Sequence, residues 1–243
     1  MSHDIFKHLL ANATGATIAE LLTLPICTVK TNYQTRSFNS VTNCVKSIYT
    51  TRGLYGFFSI ASYPAVISQI ASTCSKFTFY RFLQTYRQTP KADILNNSIN
   101  GALSGFLGSL LTHPIDVVKV HLQRNESIRP KWNTDLIGRV KFMYSGYTPT
   151  IGKNVALYAL LLPCQDFYKS KVNNTLIAAI MTTVTVTTII QPLDYLRVRG
   201  ITKQGLFLGY NPLNYYKGFW LNLSRSIPHF FITIYISELI MRK

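Results

Sequence analysis

Three copies of one short pattern punctuate the chain: Pro25-Ile-Cys-Thr-Val-Lys30, Pro114-Ile-Asp-Val-Val-Lys119 and Pro192-Leu-Asp-Tyr-Leu-Arg197, at intervals of 89 and 78 residues. Such a repeat constrains the fold more than any single motif, because each copy must belong to the same supersecondary unit. Each copy closes a long apolar stretch. A polar, often amphipathic segment follows, and then a short aromatic and glycine turn: Gly53-Leu-Tyr-Gly56, Tyr144-Ser-Gly146-Tyr147 and Tyr216-Lys-Gly218-Phe-Trp220. Each unit therefore reads as span, short surface helix, span. The unit bounds fall near 1–90, 91–172 and 173–243, within one domain covering 1–243.

The distribution of charge predicts a membrane protein. Gly53 to Ser75, Ile94 to Ile115 and Val172 to Leu193 contain no Asp, Glu, Lys or Arg over 22 or 23 residues, long enough to cross a bilayer. Further apolar stretches lie before Pro25, between Asn154 and Gln165, and between Ser226 and Ser237, flanked or broken by Glu20, Lys153 or Arg225. These read as three more spans with polar inner faces. Charges at membrane depth are costly and usually face a bundle interior or a water-filled cavity, where they mark a pathway.

A formal charge of +16 is also compatible with nucleic-acid binding, in which basic residues neutralise phosphates. The placement of the charges argues against it, since membrane-length spans interrupt them. With six spans, the segments 35–58, 120–147 and 197–217 on one side carry 12 basic and 2 acidic residues. The other side carries nine and four. That asymmetry sets an orientation by the positive-inside rule, and the basic side suits anionic lipid head groups.

An enzyme is disfavoured as well. His3, His8, His113, His121 and His229 show no paired-ligand spacing, and neither GxSxG nor a Walker loop occurs. Cys27, Cys44, Cys74 and Cys164 share no metal-ligand spacing and are expected as reduced thiols. The sequence calls for no metal or cofactor. The N-terminal stretch contains Glu20 and lacks a small-residue cleavage pattern, so a cleaved signal peptide is not expected.

The signature has a physical logic of its own. Proline removes a backbone donor and bends a helix, so Pro25, Pro114 and Pro192 can steer span ends toward a bundle axis. An acid and a base three residues apart share a helix face. Acids of one unit can then meet bases of the next in a ring of ion pairs that closes the narrow end of a cavity. Close helix packing in lipid favours small residues, supplied by Gly101, Gly105 and Gly108 on the third span and by Ala11, Ala13, Gly15, Ala16 and Ala19 on the first.

The triplicate signature, with Gly146-Tyr-Thr-Pro-Thr150 and the run from Tyr216 to Pro228, resembles the mitochondrial carrier family along essentially the whole chain. The resemblance implies an all-α membrane protein of six transmembrane helices in a three-fold pseudosymmetric bundle. Three short surface helices would lie on the matrix side and both termini in the intermembrane space. It implies a monomer in the mitochondrial inner membrane, that of the host if a parasite or virus encodes the chain. Cardiolipin is the implied lipid partner, and nucleic acid is not a partner.

By the family's pairing order Asp116 would meet Arg197 and Asp194 would meet Lys30. Cys27 stands where the first signature wants an acid, which would leave Lys119 without its carboxylate. The family's second ring, near the ends of the even-numbered spans, falls here on Arg81 and Gln84, Asp166 and Lys169, and Glu238 and Met241. Only the middle pair keeps the pattern. The matrix gate is therefore expected to be the stronger, with the empty carrier open to the intermembrane space.

The candidate substrate site follows from the repeat register. Lys153 lies seven residues beyond Gly146 and Arg225 seven beyond Gly218; counting 13 back from the second-ring acid positions gives Lys153, Arg225 and Ser68. The implied contact points are Ser68 and Gln69, Lys153 and Asn154, and Arg225 and Ser226. Arginine can grip a phosphate or carboxylate with a bidentate fork, while lysine acts as a compact charge. Glu20 is expected to face the cavity, where it would bind a substrate ammonium, carry a proton or pair with a lysine. Lys76 would sit in the cavity mouth or reach lipid phosphates. Lys153-Asn154 is like the basic-polar pair of carboxylate carriers, whereas Ser68 and Gln69 suit a base or ribose. The expected function is exchange of a small anion, a nucleotide or deoxynucleotide first, with a di- or tricarboxylate or keto acid as the alternative.

Overall fold

The computed structural model describes residues 2–58, 62–87, 93–128, 135–172 and 174–241. Long helices α1 (Ser2–Thr35), α4 (Ser62–Tyr86), α5 (Ile94–Gln123), α7 (Tyr147–Lys171), α8 (Thr175–Ile201) and α9 (Phe219–Met241) alternate with short α2 (Val41–Arg52), α3 (Tyr55–Phe58) and α6 (Leu136–Met143). There is no strand among the described residues. Side-chain oxygens start several of these helices by capping free backbone N–H groups: Ser40 for α2, Asp93 for α5, Asp135 for α6 and Asn174 for α8.

Each long helix packs on the next, α1 on α4, α4 on α5, α5 on α7, α7 on α8 and α8 on α9, and α9 returns to α1 to close the ring. Small residues set the closest approaches. A Cβ at Gly15 would stand 2.7 Å from the Thr233 carbonyl, and one at Gly101 would stand 2.5 Å from that of Tyr158.

The order long, short, long recurs three times, but the third unit departs from expectation. Where a surface helix was expected, only a 3-10 turn over Pro212–Tyr216 forms. Gly205, Gly209 at φ +90° and Pro212 punctuate that segment, and such residues terminate helices rather than extend them.

Polarity is inverted relative to a water-soluble bundle. Glu20, Lys30, Asn100, His113, Gln191 and Asp194 are buried, while Leu22, Leu110, Leu111, Ile177 and Ile189 are exposed. A broad apolar outer surface around a polar interior is what a lipid environment selects. On length and apolarity alone, two helical stretches among the described residues suffice to cross a membrane, Leu10–Thr35 and Leu176–Ile201. The charge-free run from Ile94 to Ile115 in α5 does not reach that apolarity, because Asn96, Asn97, Asn100, Ser104 and Ser109 dilute it.

Pro25, Pro114 and Pro192 sit inside continuous helices, each of which runs on for more than two turns. A proline leaves the carbonyl four residues back without its helical donor. For Pro114 and Pro192 those carbonyls belong to Leu110 and Thr188. The Tyr144 hydroxyl donates to Leu110 O and the Tyr216 hydroxyl to Thr188 O, each at 3.2 Å. The two tyrosines open the equivalent glycine turns of their units.

Candidate functional site

A cavity of about 920 Å3 runs inside the ring. Ser68, Gln69 and Lys76 of α4, Lys153, Asn154 and Tyr158 of α7, and Arg225 and Ser226 of α9 line it. It reaches Asp116 and Lys119 of α5 and Asp194 and Arg197 of α8 at one end, and Arg81, Asp166 and Lys169 at the other. The six contact residues placed by repeat register thus share one cavity.

The signature residues meet at its base. Arg197 Nη2 lies 2.6 Å from Asp116 Oδ2. Lys30 pairs with Asp194 and also donates to Asn222 Oδ1 at 2.7 Å. Asn222 in turn donates to Gln191 Oε1 at 2.8 Å. Asn222 was not anticipated, although it lies three residues before Arg225 and so shares its helix face.

Two expectations from the sequence need correction. Lys119 does not lack a carboxylate: its Nζ lies 2.5 Å from Glu20 Oε1. Glu20 does not open into the cavity but is fully buried behind the cations that do, Lys119 and Arg225, whose Nη2 lies 2.6 Å from Glu20 Oε2. The reason is helical register. Glu20 precedes Cys27 by seven residues, two turns on the same face, so an acid is available one level deeper in the bundle. Cys27 instead accepts from Gln123 Nε2 at 3.3 Å, and Gln123 Oε1 accepts from Thr31 at 2.9 Å. Neutral hydrogen bonds occupy the place where the first signature would hold an ion pair.

Three of the six expected contact residues are tied to the same carboxylates. Ser68 donates to Asp116, Lys153 Nζ lies 2.9 Å from Asp194 Oδ1, and Arg225 holds Glu20. Each of the three acids therefore bridges one contact residue of an even-numbered long helix and one signature base: Asp116 joins Ser68 to Arg197, Asp194 joins Lys153 to Lys30, and Glu20 joins Arg225 to Lys119. Asn154 donates to Ser109 Oγ at 3.1 Å and Gln69 to Thr73 Oγ1 at 3.5 Å. Ser226 lines the wall. His229 Nδ1 stands 3.9 Å from Glu20 Oε2.

The opposite end is looser. Asp166 and Lys169 are both exposed and make no ion pair among the described residues. Arg81 donates to Gln84 Oε1 at 3.3 Å and lies over the Phe77 ring, 5.3 Å from its centre. The side chain of Glu238 lies outside the described residues.

A ring of long helices built from three signature-bearing units encloses this cavity, and the sequence profile described as "Mitochondrial carrier protein" matches residues 2–91 and 90–175. The chain belongs to that family. Its members are transporters of small metabolites. A mitochondrial carrier-like protein of Acanthamoeba polyphaga mimivirus is 40% identical over 232 residues, 96% of this chain and 94% of that protein. Shorter similarities reach the mitochondrial 2-oxodicarboxylate carrier of Bos taurus, 26% over 133 residues, and the mitochondrial glycine transporter of Xenopus laevis, 32% over 125 residues. These cover 51% and 48% of the chain and 44% and 40% of the two relatives.

Proposed function

We propose that this carrier moves a small anionic metabolite across a mitochondrial inner membrane by alternating access. The six long helices act as six spans in a three-fold pseudosymmetric bundle, with units near 1–90, 91–172 and 173–243. The basic side faces the matrix and holds anionic lipid such as cardiolipin, and the carrier works as a monomer. The observation that carries the reading is the sharing of Asp116, Asp194 and Glu20 between contact residues and signature bases.

That sharing links occupancy to gating. Lys30, Asp116, Lys119, Asp194 and Arg197, joined by Glu20, form the matrix gate; Ser68, Gln69, Lys153, Asn154, Arg225 and Ser226 receive substrate. An anion in the cavity competes with Asp194 and Glu20 for Lys153 and Arg225, so binding disturbs the pairs that close the matrix end. Transport is accelerated only if the intermediate is bound more tightly than either end state. Asp166 and Lys169, with Glu238, make the weaker second gate, and the empty carrier rests open on their side.

For substrate, we favour a nucleotide or deoxynucleotide. Five bases, Lys30, Lys119, Lys153, Arg197 and Arg225, stand against three carboxylates in the deep network, an excess of two positive charges that suits phosphates. Phe77, Tyr80, Tyr158 and Phe230 add ring surfaces to the wall. The Lys153-Asn154 pair supports a second reading, a di- or tricarboxylate or keto acid. Uptake of labelled deoxynucleotides and of dicarboxylates into liposomes carrying the purified protein separates the two. Exchange of dicarboxylates without nucleotides overturns the first choice, and wild-type transport by Arg225→Ala overturns the site.

A further inference from the structure

Lys76 stands apart from the other bases of the cavity. It lines the wall and is buried to 8% exposure, yet it makes no ion pair among the described residues. Its ammonium donates to Ser72 Oγ at 2.5 Å and lies 5.0 Å from the centre of the Tyr158 ring. A buried lysine without a carboxylate is costly, and a hydroxyl with a ring face compensates only in part.

Two neighbouring helices build this position. The methylene stem lies on Gly108 of α5, where a Cβ would come within 2.4 Å of Lys76 Cγ. Tyr158 of α7 carries the head. The ammonium is therefore held at a fixed depth rather than free to snorkel. Eight residues separate Lys76 from Ser68, or about 12 Å along the α4 axis at the helical rise. Ser68 touches the matrix-side network through Asp116, and Arg81 lies farther along α4 toward the loose end of the cavity.

This depth matters because Lys153 and Arg225 are already engaged by carboxylates. An incoming anion must displace Asp194 or Glu20 to reach them, whereas Lys76 offers a cation at no such cost. We infer that Lys76, supported by Tyr158 and Ser72 and seated on Gly108, is a docking subsite that takes a phosphate or carboxylate group of the substrate before the deep pairs open. The inference rests on the anion-carrier reading above and adds an order of events to it: capture at Lys76, then transfer to Lys153 and Arg225.

The test uses the full-length protein reconstituted in liposomes, with labelled deoxynucleotides in one arm and labelled dicarboxylates in the other. Lys76→Gln is expected to raise the half-saturating concentration at least tenfold while the maximal rate stays within about threefold. Lys76→Arg is expected to recover most of the affinity. Gly108→Ala, which keeps the charge but pushes the stem away, is expected to weaken affinity in the same direction. In detergent, pyrophosphate is expected to raise the melting temperature of the wild type at a lower concentration than that of Lys76→Gln. Unchanged half-saturation in Lys76→Gln, or equal pyrophosphate protection of wild type and Lys76→Gln, overturns the subsite while leaving the anion carrier intact. A wild type that neither transports nor is stabilised by any anion in the two arms overturns the carrier reading and the subsite with it. The arm whose half-saturation responds to Lys76 identifies phosphate or carboxylate as the group captured.

Discussion

Glu20 Oε1 accepts Lys119 Nζ at 2.5 Å across the contact between α1 and α5, so the carboxylate missing at Cys27 is supplied from two turns earlier on the same helix. The relocation places the third acid beside Arg225 as well as Lys119. One buried residue therefore pairs with a signature base and with a cavity-lining arginine together.

Glu20→Gln leaves two cations without a counter-charge. Breaking a buried pair costs about 3–5 kcal/mol, so a marked drop in melting temperature is expected, together with increased labelling of engineered cysteines from the matrix side. Adding Cys27→Asp returns a carboxylate near both cations, but in the signature position rather than behind Arg225, where Glu20 sits. Closure of the matrix side should recover in the double variant while transport stays impaired. Full recovery of both would show that Glu20 has no separate task at Arg225.

Asp194 is shared by Lys30 and Lys153, and groups sharing one partner do not add. In a double-mutant cycle of Lys30→Ala and Lys153→Ala, a coupling of about 0.5–3 kcal/mol is expected in unfolding free energy. Lys153→Ala alone should chiefly lower transport, because Lys30 and Asn222 still hold their end of the network. Strict additivity would mean that the two lysines act on Asp194 independently.

Much of this was legible in the sequence because it repeats. Counting from glycine turns put Lys153 and Arg225 at one depth, and the signature pairing put Asp116 beside Arg197. Glu20 was visible only as a charge in an apolar stretch, since nothing in one sequence says which neighbouring helix its face meets. Lys76 was open for the same reason: its place depends on the absence of a side chain at Gly108 of another helix. The third surface helix failed for a local reason that was readable, the spacing of Gly205, Gly209 and Pro212.

Cys44 on α2 is fully buried among Val29, Ile48 and Phe57, with its thiol 3.7 Å from Val29 O. Burial pushes its pKa up to about 11 from an ordinary value of 9, against the opposing pull of Arg36 and Lys217. The neutral thiol is thus favoured in the folded state. Its contribution to stability is complete below pH 9 and is lost as the pH rises from there through about 11. At pH 8 Cys44 should resist maleimide in the folded carrier and react readily after denaturation. Prompt labelling of Cys44 in the folded protein would show that α2 does not stay packed on α1.

Tyr216 and Tyr144 answer the carbonyls that Pro192 and Pro114 leave free. In lipid an unsatisfied backbone carbonyl has no water to turn to, so the hydroxyl should matter more than its exposure at the edge of the ring suggests. Tyr216→Phe and Tyr144→Phe remove only that oxygen. Each is expected to cost about 0.5–1.5 kcal/mol, the net worth of one hydrogen bond, read as a lower melting temperature with half-saturation for substrate unchanged. Leu54→Ala, in the glycine turn of the first unit, removes no hydroxyl and lacks this term. If its melting temperature falls together with those of the two tyrosine variants, packing of the turns rather than the proline-freed carbonyls accounts for the stability of these positions.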